Sequence, residues 1–150
     1  MPLFNIFRIQ MKSLQFFAAA LLLISPQLSA ADEPKHLYEA TQADPALKKA
    51  FAELVKPVAK DAPWLSNYGT TAPPVDKTLD DTSYQIYWGC KPKDCIRESY
   101  TVVYNPKTQE MVAGAFVRNE FDGPMVKNSQ TTWLGKTDWD FAKFIGPYLY

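Results

Sequence analysis

Three strand-like segments separated by short polar connections constrain the fold of this chain most. Residues 84–88, 100–104 and 111–117 are rich in aromatic and β-branched side chains. In the second, Tyr100, Val102 and Tyr104 face opposite to Thr101 and Val103. Gly89 lets the chain turn out of the first segment, and Asn105-Pro106-Lys107-Thr108 has the residues of a turn. Strands joined by so few residues pair antiparallel, because a parallel pair needs a crossover of about a dozen residues or more. Gly114, mid-way along the third segment, marks a bulge or a close approach.

The first connection is Cys90-Lys91-Pro92-Lys93-Asp94-Cys95, and its two cysteines are the only ones in the chain. A disulfide across that gap would close a ring too small to staple a fold, contributing about 2 kcal/mol at most. Its use is rigidity. A loop already in its bound shape avoids roughly 0.5–1.5 kcal/mol of ordering cost per immobilised side chain when a partner docks. The exposed chemistry of the tip is charged, through Lys91, Lys93 and Asp94, and Pro92 restricts its backbone. Mounted between two strands, the ring is displayed at the end of a sheet as a preformed key for another molecule's pocket.

Elsewhere the elements are less regular. Residues 32–43 are polar and expected to be loosely held. Asp44-Pro45 then starts a helix, with Asp44 as N-cap and Pro45 at the first helical position. Leu47, Ala50, Phe51, Leu54 and Val55 form one apolar stripe, and Pro57 is expected to end the element. Residues 57–82 read as a long irregular connection pinned by Trp64 and Leu65. Residues 120–128 read as a polar excursion turning at Gly123-Pro124, and 130–134 as a further strand. Thr137 or Asp138 caps a short helix through Trp139, Phe141, Phe144 and Ile145. The sum is an α+β fold, an antiparallel sheet of about four to five strands with an N-terminal helix and a short C-terminal helix.

The ring requires an oxidising compartment. Arg8 and Lys12 give a positive start, residues 16–24 are uninterruptedly apolar, Ser25-Pro26 breaks the run, and Ser29-Ala30-Ala31 offers small residues for a signal peptidase. That is the layout of a cleaved secretory signal peptide, residues 1–31, with either Met1 or Met11 as the start. The apolar run falls far short of the ~20 residues needed to cross a bilayer. No cysteine follows the expected cleavage point to take a lipid. The expected product is a single periplasmic domain, residues 32–150, without a membrane span.

Composition and residue types exclude several function classes. Without Arg8 and Lys12 the balanced 16 basic and 16 acidic residues leave a net charge of about −2. No basic patch stands out for a nucleic-acid partner. His36 is the only histidine and lies in the polar lead-in, where it is expected to face solvent. That placement suits neither a Ser-His-Asp nor a Cys-His site, and two cysteines with one distant histidine cannot make a structural zinc site. The acidic clusters Asp80-Asp81, Glu120 with Asp122, and Asp138 with Asp140 fit turns and helix caps better than a glycosidase pair. Neither catalytic residue, metal nor cofactor is expected.

The hexapeptide resembles the signature loop of the inhibitor of vertebrate lysozyme (Ivy) family, usually Cys-Lys-Pro-His-Asp-Cys. Pro63-Trp64, Asp81-Thr82-Ser83-Tyr84-Gln85 and Thr132-Trp133-Leu134 also fit the family, as do the leader and the N-terminal helix. The resemblance implies an exported inhibitor whose disulfide-locked loop protrudes into the active-site cleft of a c-type lysozyme. In the family the loop histidine reaches two catalytic carboxylates of the enzyme. That role falls on Lys93 here, a departure from the pattern. Cys90 and Cys95 close the ring, Pro92 stiffens it, and Lys91 and Asp94 are either rim contacts or partners in local turn bonds. The resemblance also allows a homodimer. Two other functions use the same loop: restraint of an endogenous lytic transglycosylase, and binding of an anionic glycan or a non-enzyme protein.

Overall fold

A computed structural model describes residues 35–136 and 138–149, so the leader expected at residues 1–31 lies outside the described residues, as does Thr137. The chain forms α1 (Leu37–Ala43), α2 (Pro45–Ala59), a 3₁₀ turn (Pro63–Asn67), β1 (Thr70–Thr71), β2 (Val75–Leu79), β3 (Thr82–Cys90), β4 (Glu98–Asn105), β5 (Glu110–Asp122), β6 (Met125–Gly135), α3 (Trp139–Ile145) and a closing 3₁₀ turn (Gly146–Tyr148). The strands make one antiparallel sheet of six in the order β1-β3-β4-β5-β6, with β2 also on β3. β1 and β2 share one edge of β3, so five positions across the sheet hold six strands. Among the described residues, no helix is long and apolar enough to cross a membrane.

The central strand β4 is buried along its whole length, and its alternation divides the core in two. Tyr100, Val102 and Tyr104 pack under α2 with Leu47, Phe51, Leu54 and Val55. Val103 faces the other way, with Ile86, Ala115 and Val117, and is covered by Phe141 and Ile145 of α3. The helix starts match their sequence signals. The Asp44 side chain accepts from Ala46 N at 2.9 Å and Leu47 N at 3.2 Å, and that of Asp138 accepts from Phe141 N at 3.0 Å.

Several expectations need correction. The polar lead-in contains α1, which is held because Leu37 is fully buried and Thr41 bonds back to Tyr38 O at 2.9 Å. His36 is half-buried rather than solvent-facing, with Nδ1 2.8 Å from Thr71 O, so it ties α1 to β1. α2 continues through Pro57 to Ala59. Pro57 and Glu53 both lie on the exposed side, so the carbonyl that loses its donor is on the solvated face.

Residues 57–82 are not irregular, since they hold the 3₁₀ turn and two strands; Asp80 and Asp81, both at positive φ, make the tight turn from β2 into β3. Leu65 does pin this segment, at 1 % exposure. The excursion at 120–128 is instead the far end of a long hairpin, β5 to β6, closed by Gly123-Pro124. Gly123 at φ 60 followed by Pro suits a type II′ turn. Both faces of that arm lie beyond the core, which is why its composition is polar. The irregularity in β5 leaves Val112 unpaired, since Val103 pairs Ala113 and Tyr104 pairs Met111. Gly114 is instead a close approach, with Thr101 O and Leu54 crowding the place of a side chain.

Candidate functional site

The β3–β4 connection is built from the core outwards. Cys90 ends β3 fully buried and is disulfide-bonded to exposed Cys95, with a Cα–Cα distance of 4.8 Å. Gly89 lies within β3 rather than at a turn, and the Tyr100 ring fills the space its side chain would need. The Tyr100 hydroxyl donates to Tyr68 O at 2.8 Å, and burial pushes its phenol well above the usual range. The cysteine loop therefore springs from a closely filled part of the core.

Two backbone turns shape the loop. Asp94 N donates to Lys91 O at 3.0 Å, which closes the turn Lys91-Pro92-Lys93-Asp94. Proline at the second position and a positive φ of 65° at the third, Lys93, are the signature of a type II turn. That third position favours glycine or asparagine, and holding another residue there costs on the order of 1–3 kcal/mol. Next, Arg97 N donates to Asp94 O at 3.1 Å. Lys91 N donates to Glu98 O at 2.9 Å, tying the start of the loop to the start of β4.

The charges of the loop sort into two kinds. Lys91 Nζ lies 3.9 Å from Asp94 and 3.7 Å from Glu98, and Asp94 also meets Arg97 at 3.6 Å. Lys91 and Asp94 are thus paired within the loop and with its flanks. Pro92 and Lys93 are exposed, and among the described residues Lys93 is the loop cation with no ion pair. An ammonium that carries three donors and sits on a restrained turn can bond acidic groups on another molecule.

Beneath the loop lies a residue that no sequence pattern marks. Glu98 is buried, and its carboxylate accepts from Trp64 Nε1 at 2.7 Å and from Arg118 Nε at 2.9 Å. Trp64 stacks on Tyr100 with ring centroids 6.0 Å apart. These partners lie 34 and 20 residues from Glu98 in the chain, so no local pattern announces them. Other candidates are not brought together. His36 is engaged with Thr71, the acidic pairs sit at turns, arm and cap, and among the described residues no three metal-ligating side chains converge.

A family model described as inhibitor of vertebrate lysozyme (Ivy) matches residues 46–133, which run from the start of α2 through the loop to β6. Two curated proteins named inhibitor of vertebrate lysozyme, from Escherichia coli strain K12 and Escherichia coli O157:H7, are each 30 % identical over 91 residues. The match covers 61 % of this chain and 55 % of each relative, so the chain spans about half the length of the curated relatives it matches. The family is one of inhibitor proteins rather than enzymes. With more than half of its residues inside the family match, and a disulfide-closed loop at the end of the matching sheet, this chain belongs to the inhibitor of vertebrate lysozyme (Ivy) family.

Proposed function

We propose that this protein inhibits a c-type lysozyme by placing the Cys90–Cys95 loop in the enzyme's active-site cleft. The observation that carries the reading is Lys93, exposed at φ 65° on a closed turn whose other charged side chains are paired internally. A retaining glycosidase holds two carboxyl groups about 5–5.5 Å apart, a spacing that one ammonium can bridge. Desolvating a lysine is costly, and burial against two acidic groups is the setting that offsets it. The restrained turn removes part of the ordering cost of binding. The name of the curated relatives supports a lysozyme as the partner.

We place the protein in the periplasm, exported by a leader over residues 1–31 that leaves residues 32–150 as one domain, because a disulfide persists in an oxidising compartment. There it would shield peptidoglycan from a host's lysozyme. Neither metal nor cofactor enters this mechanism. The test is a titration of c-type lysozyme acting on bacterial cell walls. Stoichiometric loss of activity is expected. Full activity at several-fold molar excess would reject lysozyme as the target, and the same assay would pass to lytic transglycosylases. Cell fractionation with N-terminal sequencing checks export: an N-terminus before residue 20 on a periplasmic protein would contradict the leader.

A further inference from the structure

We infer that Glu98 is the positioning residue for Lys93: one buried carboxylate under the ring fixes the turn that carries the ammonium. The inference rests on the loop being the inhibitory element. Both polar ends of Lys91 finish on Glu98, since its N–H donates to the Glu98 carbonyl at 2.9 Å and its ammonium lies 3.7 Å from the carboxylate. Lys91 is the first residue of the turn, and its carbonyl accepts from Asp94 N at 3.0 Å. Lys93 lies between those two residues. A continuous set of contacts therefore runs from Trp64 and Arg118 through Glu98 and Lys91 to the turn.

The disulfide does a different job. It joins the two ends of the ring and so limits its width. The attitude of the ring to the sheet is set by contacts that reach other elements, and the Glu98 carboxylate reaches two of them, the 3₁₀ turn through Trp64 and β5 through Arg118. Charge-assisted bonds of this kind are roughly twice as strong as neutral ones. Without the Glu98 charge the Lys91 ammonium keeps only the longer contact to Asp94, at 3.9 Å, and the backbone bonds of Lys91 hold the turn alone.

The test uses Glu98→Gln, nearly isosteric and able to keep the Trp64 bond, with Lys91→Met as a second variant that leaves the buried carboxylate in place. Amide hydrogen exchange is measured first, because it needs no partner. In Glu98→Gln, exchange at Lys91 and Asp94 should quicken about tenfold while Val102 and Val103 in β4 keep their protection. Lys91→Met should show the same pattern to a smaller degree. Equal quickening throughout β4 would make Glu98 a general stabiliser and overturn the inference, as would unchanged exchange in the loop.

The inhibition constant supplies a second readout through a double-mutant cycle. Glu98→Gln should weaken lysozyme inhibition about tenfold in the wild-type background and less than about twofold when Lys93 is already alanine. Full additivity would show that Glu98 does not act through Lys93. Should the wild-type protein inhibit no muramidase, the proposed function fails, while the exchange pattern still decides whether Glu98 holds the turn.

Discussion

The cysteine loop and the tip of the β5–β6 hairpin lie at the same end of the sheet, joined where Asn119 N donates to Arg97 O at 2.7 Å and Arg97 stacks on Phe121 at 5.1 Å. They are held by different means. The hairpin tip depends on a two-residue turn and the strand ladder, and it leaves Met125 and Val126 at 70 % and 52 % exposure. The cysteine loop is closed by a disulfide, folded by two backbone turns and tied down by Glu98. One projection is an ordinary strand end. The other concentrates its restraint around a single cation in an unfavourable backbone conformation, and the proposed function assigns recognition to it.

The contrast breaks most decisively at Lys93. Lys93→Glu reverses the charge offered to an acidic cleft and should weaken lysozyme inhibition by about a thousandfold or more, in the range of the strongest interface positions. Inhibition constants check it, and a change below about tenfold would move recognition away from this side chain. Removing the disulfide by the pair Cys90→Ala and Cys95→Ala should weaken inhibition about tenfold through lost preorganisation. Its cost to unfolding stability should stay within about 2 kcal/mol. Denaturant unfolding decides this, since a larger loss would show that the ring staples the fold.

Lys93→Gly sharpens the same point from the other side. Glycine accepts positive φ without penalty, so this variant should gain up to about 1 kcal/mol of stability while losing inhibition. A variant destabilised by the change would mean that Lys93 makes a structural contact. The smallest effect belongs to the hairpin tip. Met125→Ser should change stability by less than about 0.5 kcal/mol and inhibition by less than about threefold. A large loss of inhibition there would extend the recognition surface across both projections.

How far the sequence discloses this arrangement varies with the range of the interactions. Asp44-Pro45 and the stripe from Leu47 to Val55 declare α2 because caps and periodicity are local. The aromatic and β-branched run from Tyr100 to Tyr104 likewise declares a strand, which the structure buries on both faces. α1 was hidden because its cap is a histidine and its buried residues are only Leu37 and Thr41. The outer halves of β5 and β6 were hidden because a hairpin arm in solvent has the composition of a loop. The ring was legible from its cysteines, and Pro92 made a turn expected. The left-handed backbone at Lys93 was not, since lysine is no marker for positive φ. Glu98 was least legible, because its partners come from Trp64 and Arg118 across the fold.

In the proposed inhibition the loop presents Lys93, and not Lys91, to the enzyme. The most direct test titrates a c-type lysozyme with the wild-type protein, Lys91→Ala and Lys93→Ala side by side. Stoichiometric inhibition is expected of the wild type, a modest loss for Lys91→Ala, whose side chain is engaged by Asp94 and Glu98, and a far larger loss for Lys93→Ala. Equal inhibition constants for the wild type and Lys93→Ala would contradict it.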